Sequence, residues 1–387
     1  MTNYIKRIRP QQLTDAVILG IAILLVVQLR RSLLSFVSGD MTNFTSIWYA
    51  AIKEQGFSFF GTDISNYSPP YLYMLYLVSI VLPGIPATSA IKLPSIFFDL
   101  VCAWYIFRIV RIRYESGPLP FFAFFAVLLA PTVVMNSAMW GQADSIYTAM
   151  LVACVYYLMV HKDWQASLAF GAAFAVKFQA IFLAPLLLAL ALKRVVSWKS
   201  LLLIPLVYLV AILPAWIAGR PIIELLTIYQ SQSEIGKDIA FGVPNLYNWL
   251  PTKYKPLFFS AGLLWTVCAC YLYVIAVLKS HVKLVPSLLT RLGLLSLMMM
   301  PYFLPKMHER YFFPAEVLSI AYGFYFPRYY LIPIALNLIS FFSYQKFLFD
   351  RVTFKIVYLA LVMLALLIVV AKHAFTGLYG DQKIAEV

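Results

Sequence analysis

Long apolar segments recur along most of the 387-residue chain, and they constrain its fold more than any other feature. Hydrophobic residues make up 63% of the sequence and charged residues only 12%, a composition typical of membrane proteins with several helical spans. A soluble fold is incompatible with this pattern. We therefore predict an all-α fold, a polytopic transmembrane helical bundle with about 11–13 membrane helices including re-entrant or half-helices. The whole chain, residues 1–387, forms one membrane-embedded domain in this prediction.

Hydropathy locates the predicted spans. Residues 70–82 are also apolar, but about 13 residues are too few to cross a bilayer of roughly 30 Å, so we expect a re-entrant or interfacial helix there. The first span is not followed by a small-residue cleavage site and is predicted to be a retained helix. The fifth is expected to be two half-helices broken near Lys177. The predicted spans are residues 15–37, 88–110, 118–136, 144–161, 163–192, 200–218, 257–279, 285–304, 310–326, 329–345 and 352–372.

Basic residues between the spans predict the orientation. If residues 70–82 do not cross and the N-terminus is cytoplasmic, most basic clusters lie on the cytoplasmic side, as the positive-inside rule requires. Two long loops, about 38–70 and 219–256, are then extracytoplasmic. The sequence thus predicts a multi-pass protein of the cell inner (plasma) membrane with its polar site outside. Lys6, Arg7 and Arg9 of the N-terminal segment are cytoplasmic in this orientation. Lys237 of the second loop lies outside, against the rule.

Several function classes conflict with the composition. The net charge of +14 comes from basic residues in short segments between spans, where they contact lipid, so we expect no nucleic-acid partner. All four cysteines lie inside apolar runs, which indicates neither disulfides nor a metal site. No Gly-rich phosphate loop is found, and we predict no cofactor.

Polar residues gather in five clusters that the predicted topology places on the outer side. The Lys306–Arg310 run is the strongest pointer to chemistry, because a membrane segment does not tolerate such a density of charge without a use for it. Blander interpretations exist for the other clusters: Asp40 and Asp144 can cap helices, and Trp140 and Tyr67 can be belt aromatics. The clusters contain Asp40, Asn66 and Tyr67; Trp140, Gln142 and Asp144; Lys177 and Gln179; Asn245 and Asn248; and Lys306, His308, Glu309 and Arg310. Asp99 and Lys92, seven residues apart on one helix, are expected to pair with other helices for structural reasons.

The ordered series of these motifs resembles the GT-C class of integral-membrane glycosyltransferases. Within that class it is most similar to bacterial proteins related to the GPI mannosyltransferase II family. The resemblance covers nearly the whole chain and rests on the order of the blocks. They are Asp40 with Phe44 and Trp48, Asn66-Tyr67-Ser68-Pro69-Pro70-Tyr71, Trp140-Gly141-Gln142-Ala143-Asp144-Ser145, Lys177-Phe178-Gln179 leading to Pro185, Asn245-Leu246-Tyr247-Asn248 and His308-Glu309-Arg310-Tyr311.

The resemblance implies an enzyme that moves one sugar from a polyprenyl-phosphate carrier to an acceptor hydroxyl outside the cytoplasm, with inversion at the anomeric carbon. Asp40 is then the general base, because members of the family place an acidic residue where the first helix enters the first outer loop. Mannose is the leading sugar, before glucose and arabinose, and the acceptor is a glycolipid, a glycan or a protein. Met41 follows Asp40 in place of a second acidic residue, which argues against a metal.

The departing phosphate requires cationic hydrogen-bond donors. Lys306, His308 and Arg310 are the first candidates, and Lys177 and Arg31 are weaker ones. The remaining polar residues are assigned to substrate binding: Asn66, Tyr67, Trp140, Gln142, Asp144, Gln179, Asn245, Asn248 and Glu309. The aromatic stretches 70–76 and 322–330 are expected to line a lipid groove near the outer face.

Two other interpretations remain open at this point. A secondary transporter or lipid flippase for a polyprenyl-linked or anionic substrate would explain a helix broken at Lys177. A non-catalytic subunit that binds polyprenyl lipid would explain the hydrophobicity but neither Asp40 nor the Lys306–Arg310 run.

Overall fold

A computed structural model describes residues 10–234, 238–251 and 255–380. The predictions that concern Lys6, Arg7, Arg9 and Lys237 lie outside the described residues. The described part is almost entirely helical, which confirms the predicted all-α class. In chain order the helices are α1 Pro10–Leu33, α2 Ser46–Gln55, α3 Pro69–Val81, α4 Ala87–Arg113, α5 Leu119–Leu129, α6 Pro131–Val134, α7 Asp144–Met159, α8 Asp163–Val176, α9 Ala184–Leu192, α10 Trp198–Leu201, α11 Leu203–Ile217, α12 Ile222–Glu234, α13 Lys255–Lys279, α14 Pro286–Phe303, α15 Phe313–Tyr325, α16 Leu331–Phe349 and α17 Ile356–Tyr379.

Several helices are long and apolar enough to cross a membrane, as a multi-pass protein requires. Five such helices occur among the described residues, or six when the bent pair Leu119–Leu129 and Pro131–Trp140 counts as one span. The five are Ala87–Arg113, Trp198–Ile217, Leu257–Lys279, Pro327–Phe349 and Ile356–Tyr379. The other predicted spans coincide with helices that are not among these five. The predicted number of membrane helices is reached only when those additional helices are counted.

Helix breaks occur where the sequence predicts weak points. Lys177 is extended (φ −154°, ψ 136°) between α8 and the 3₁₀ turn Phe178–Leu183, which confirms the predicted break. Helix α3 has 13 residues and is about 20 Å long, less than the roughly 30 Å of a hydrocarbon core. The predicted span 118–136 is interrupted, and its two parts bend by 48°. Pro131 explains the bend, since it lacks an N–H and keeps Ala130 extended (φ −59°, ψ 127°).

The end of α1 is held by a lysine from α4. Lys92 is fully buried, and its Nζ donates hydrogen bonds to the carbonyl oxygens of Leu33 (2.9 Å), Leu34 (2.9 Å) and Phe36 (2.7 Å). These carbonyls have no helical partner at a C-terminus and would otherwise be unsatisfied. Lys92 therefore stops the helix and positions the turn that leads to Asp40.

A buried ion pair joins the same two helices further along. Arg30 of α1 lies 2.9 Å from Asp99 of α4, and the hydroxyl of Ser137 donates to the same carboxylate oxygen at 2.5 Å. The prediction that Lys92 and Asp99 pair with other helices is confirmed. Removing one partner of such a pair leaves an uncompensated charge, so these contacts tie α1 firmly to the bundle.

A short parallel sheet connects the second long loop to the Lys306–Arg310 run. Strand β1, Ala240–Phe241, pairs with strand β2, Met307–His308. The amide of Glu309 donates to the carbonyl of Phe241 at 3.0 Å, and that of Lys306 to Ile239 at 2.8 Å. Sequence reasoning missed this pairing, because strands of two residues have no detectable periodicity.

Candidate active site

Four segments that are distant in sequence enclose one polar cavity of about 220 Å³. They are the turn after α1 with α2 and α3, the turn before α7, the break at Lys177, and the loop between α14 and α15. Gln232 of α12 completes the wall. The lining residues are Asp40, Phe44, Thr45, Trp48, Asn66, Tyr67, Tyr71, Gly141, Gln142, Ala143, Val176, Lys177, Gln179, Gln232, His308, Arg310 and Tyr311.

Asp40 presents its carboxylate to this cavity. It precedes a π-helical turn, Met41–Thr45, but its side chain makes no capping hydrogen bond, so the helix-cap interpretation is wrong. Instead Oδ2 accepts from Trp140 Nε1 at 2.9 Å and from Gln142 Nε2 at 2.5 Å. Both donors bind the same oxygen. Oδ1 therefore has no protein donor among the described residues and can accept a proton from a bound molecule.

The turn before α7 positions the two donors to Asp40. A second π-helical turn, Met135–Trp140, ends at Gly141, whose φ of +77° suits glycine. A Cβ there would lie 2.9 Å from Cε of Met41. Trp140 is 1% exposed and stacks on Phe347 at 4.8 Å between ring centroids. A residue so deeply buried is not a belt aromatic, and that interpretation of Trp140 is wrong.

Asp144 is a buried charge rather than a helix cap. It is the first residue of α7 and fully buried, and no capping hydrogen bond is found at this helix start. Its Oδ1 forms an ion pair with Lys177, and its Oδ2 accepts from Nδ2 of Asn136 at 2.9 Å. Arg310 Nε lies 3.5 Å from Oδ2. Asp144 thus holds two cations beside the cavity.

Arg310 lies between the two carboxylates. Its Nη1 is 4.0 Å from Oδ2 of Asp40, and its Nε is 3.5 Å from Asp144 but makes no hydrogen bond among the described residues. A guanidinium so placed brings donors close to both acidic groups while one N–H remains available to a ligand. The charges of Asp40 and Asp144 are balanced by those of Lys177 and Arg310.

Further unpaired polar atoms belong to residues that line the cavity. Within the described residues, Thr45 Oγ1, Tyr71 Oη and Gln179 Oε1 are buried without a hydrogen-bond partner, as is Arg310 Nε. Such groups are rare in folded proteins, because each one loses the hydrogen bonds it makes with water. These four atoms belong to residues of one cavity wall, where a polar ligand could bond with them.

His308 differs from the cation that the sequence suggests. Its ring stacks on Phe241 at 4.6 Å, and burial, together with nearby Arg310 and Lys177, lowers its pKa to about 2. The imidazole is therefore neutral near pH 7 and can donate only one N–H. Positive charge at the cavity comes from Arg310 and Lys177, and the expectation of a cationic His308 is wrong.

Four other candidates lie away from the cavity lining. Arg31 is exposed, whereas its neighbour Arg30 points into the bundle. Lys306 has a φ of +60°, and its Nζ lies 5.7 Å from the ring of Phe259. Asn245 and Asn248 bond the local backbone, including Tyr247 N and the carbonyl of Val243. The sequence-based assignment of these four to donor or substrate binding is not supported by their positions.

Glu309 is buried beside Arg310, 3.5 Å from Nη1, and is absent from the cavity lining. Burial raises the pKa of Glu309 to about 7, although Arg310 opposes the shift.

We expect the Glu309 carboxyl to make the stability of the folded protein depend on pH. A raised carboxyl pKa means that the folded state keeps its proton longer than the unfolded state. Stability is therefore highest below the ordinary glutamate pKa of 4.5 and is lost as pH rises to about 7, by up to about 3 kcal/mol. Thermal unfolding of Glu309→Gln in detergent should lack this decline, whereas the exposed Glu54→Gln should retain it. Parallel pH curves for Glu309→Gln and the wild type would contradict the assignment.

Residues that the sequence analysis did not select also reach the site. Tyr311 lines the cavity, and its ring centre lies 5.5 Å from Nζ of Lys177, within cation–π range. Thr45 and Tyr71 contribute the unpaired hydroxyls described above. Tyr311 directly follows the charged run, and this position could have identified it from the sequence. Gln232 comes from the distant helix α12, and nothing in the sequence indicates that it reaches the cavity.

Within the described residues, no three His, Cys, Asp or Glu side chains come together as a potential metal-binding group.

Comparison with known proteins identifies a shared fold. The chain is similar to the crystal structure of ArnT from Cupriavidus metallidurans bound to undecaprenyl phosphate, with a TM-score of 0.55 and 15% sequence identity. The match covers 94% of this chain and 72% of the ArnT chain. No protein-family model and no curated protein matches the sequence. The likeness confirms the predicted all-α polytopic fold and shows that the chain shares the fold of ArnT.

Proposed function

We propose that this protein is a glycosyltransferase that moves one sugar from a polyprenyl-phosphate carrier to an acceptor hydroxyl. One observation carries the proposal. A carboxylate with a free oxygen, Asp40, and two buried cations, Arg310 and Lys177, line the same cavity. Arg310 Nη1 lies 4.0 Å from the Asp40 carboxylate. Transfer from a sugar phosphate needs both a base for the incoming hydroxyl and cations for the departing phosphate.

In the proposed reaction the acceptor oxygen attacks the anomeric carbon while Asp40 Oδ1 takes its proton. The bond between the anomeric carbon and the phosphate oxygen breaks, and the electron pair leaves with the polyprenyl phosphate. Attack from the face opposite the phosphate inverts the configuration, as in inverting glycosidases. Trp140 and Gln142 hold Oδ2 and so orient the carboxylate.

Arg310 and Lys177 are proposed to bind the phosphate of the carrier. The leaving phosphate gains charge as the bond breaks, so the hydrogen bonds that it accepts become stronger toward the transition state. In the absence of substrate both cations are paired with Asp144, which keeps them in place. His308 contributes a neutral imidazole beside them.

The sugar and the acceptor are proposed on other grounds. Mannose is the first candidate for the transferred sugar, because the motif series resembles the relatives of the GPI mannosyltransferase II family. Thr45, Asn66 and Gln179 offer polar atoms at the cavity wall that suit sugar hydroxyls. The acceptor hydroxyl belongs to a glycolipid, a glycan or a protein.

The site is proposed to face the extracytoplasmic side. Arg111, Arg113 and Arg328 lie at the opposite ends of α4 and α15 from the cavity, as the positive-inside rule would place them. Helix α3, too short to cross, contributes Tyr71 to the cavity and suits an interfacial position beside the carrier. The stretch 322–330, in contrast, lies at the other end of α15 and lines a different cavity, which does not support its expected place in a lipid groove near the outer face.

Activity is expected to survive excess EDTA, since Arg310 and Lys177 can neutralise the departing phosphate without a metal. The measurement is the transfer rate before and after chelation. Restoration of a chelated, inactive enzyme specifically by manganese or magnesium would contradict metal independence while leaving the glycosyltransferase proposal intact.

An assay in proteoliposomes separates this proposal from a transporter or flippase. Purified protein is reconstituted with polyprenyl-phosphate mannose that carries a radiolabel in the sugar, with glucose and arabinose donors in parallel and candidate acceptors added. An enzyme transfers the label to acceptor or releases it from the lipid in detergent as well as in vesicles. Movement of intact labelled lipid between leaflets, with the sugar still attached, would support the flippase instead.

A further inference from the structure

A second cavity, larger and apolar, opens at the end of the bundle away from the proposed active site. It has a volume of about 640 Å³ and lies between α5, α15 and α16. Its walls are apolar side chains such as Leu129, Ile320, Ile334 and Leu338. The amide of Asn337 also lines it, but this group is already bonded to Thr132 and to the carbonyl of Pro333, at 2.8 and 2.9 Å. The cavity suits a hydrocarbon chain.

The length of the cavity matches one leaflet of a bilayer. Leu119 and Leu129, ten residues apart on α5, both line it, which corresponds to about 15 Å along the helix. Half of a hydrocarbon core of roughly 30 Å is also about 15 Å. At the other end the lining includes Ala130 and Pro131, where α5 ends and the chain bends.

Basic residues lie beside the mouth of the cavity, which we place where the turns 113–119 and 326–330 meet. Tyr114 and Pro327 from these turns line the cavity. Tyr114 donates a hydrogen bond to the carbonyl of Phe324, in the last turn of α15, at 2.9 Å. Arg111, Arg113 and Arg328 are exposed there, with Glu115 as the acidic residue. Arg113 is anchored beside the rings of Tyr114 and Tyr325, at 5.8 Å from each.

We propose that this cavity binds one anionic phospholipid of the adjoining leaflet, with an acyl chain between α5, α15 and α16 and its phosphate at Arg113 and Arg328. Charge complementarity selects an anionic headgroup. The polyprenyl carrier is not the occupant: α15, about 20 Å long, separates this mouth from Arg310, so a carrier with its phosphate here could not also present it at the active site. The exclusion of the carrier rests on the proposed function, whereas the binding of an anionic phospholipid does not.

The test measures binding of phosphatidylglycerol to delipidated protein by native mass spectrometry, with phosphatidylcholine of the same acyl chains as the comparison. We expect a preference for phosphatidylglycerol that the Arg113→Gln/Arg328→Gln variant reduces about tenfold. The matched control, Lys162→Gln/Lys199→Gln, removes two exposed charges elsewhere and should bind as the wild type does. Ala126→Trp, which fills the cavity, should bind neither lipid there; Ile334→Trp serves if that protein does not fold.

Four results would overturn the proposal. Three are equal binding of both lipids by the wild type, an equal loss in the lysine control, and undiminished binding in the folded cavity-filling variant. Co-purification of polyprenyl phosphate that the same cavity-filling variant abolishes would assign the site to the carrier instead and would also overturn it. None of these outcomes bears on Asp40, so the glycosyltransferase proposal is tested separately.

Discussion

Replacing Asp40 with asparagine is expected to lower the transfer rate by about two to four orders of magnitude, the usual range for a lost general base. The amide keeps an oxygen that can accept from Trp140 and Gln142, so the geometry around the site is preserved. It cannot take the proton of the acceptor. The measurement is the transfer rate at saturating donor, together with donor affinity, which should change little.

Asp63→Asn is the matched control for this variant. Asp63 lies in the same loop but is exposed and absent from the cavity lining, so its loss should leave the rate near that of the wild type. Turnover of Asp40→Asn close to that of Asp63→Asn would contradict the role of Asp40. Comparable thermal unfolding of both variants shows that an effect on rate is not an effect on folding.

Arg310→Gln is expected to slow turnover by about ten- to a hundredfold. A hydrogen bond to a charged group contributes roughly 1.5–3 kcal/mol, and each 1.4 kcal/mol corresponds to a factor of ten. The loss should lie mainly in turnover, because the charge on the phosphate grows toward the transition state. The rate of single-turnover transfer with donor in excess measures this directly.

Arg31→Gln provides the comparison, because Arg31 is exposed and outside the cavity lining. Its rate should match the wild type. Arg310→Lys keeps the charge but not the planar donor pair and should recover part of the activity. Turnover of folded Arg310→Gln close to that of Arg31→Gln would contradict the phosphate-binding role.

The residues that sequence reasoning located best are those whose charge is expensive in an apolar chain. Asp40, Lys177 and Arg310 stand out because a membrane protein retains such groups only where something pairs with them. The same argument predicted structural partners for Lys92 and Asp99. The break near Lys177 followed from the positive-inside rule, which places the later basic clusters on the cytoplasmic side only if residues 163–192 form two half-helices. The backbone that brings Lys177 to Asp144 was therefore also foreseeable.

What the sequence did not reveal depends on helix rotation and on burial. Arg30 and Arg31 are neighbours on a helix that is apolar all round, so hydropathy does not indicate which one faces the bundle. The neutral state of His308 follows from its burial against Phe241, which only the paired strands create. Asn245 and Asn248 bond their own backbone, and asparagines in such turns look the same in sequence as those that bind ligands.

The most direct test of the account is the product left in the membrane. Purified protein is incubated with polyprenyl-phosphate mannose and acceptor, and free polyprenyl phosphate is quantified by mass spectrometry against sugar gained by the acceptor. The account predicts one polyprenyl phosphate for each sugar transferred by the wild type and by Asp63→Asn, and a rate at least about a hundredfold lower in Asp40→Asn. Recovery of the intact carrier from the wild type, with every sugar and acceptor tried, would contradict it.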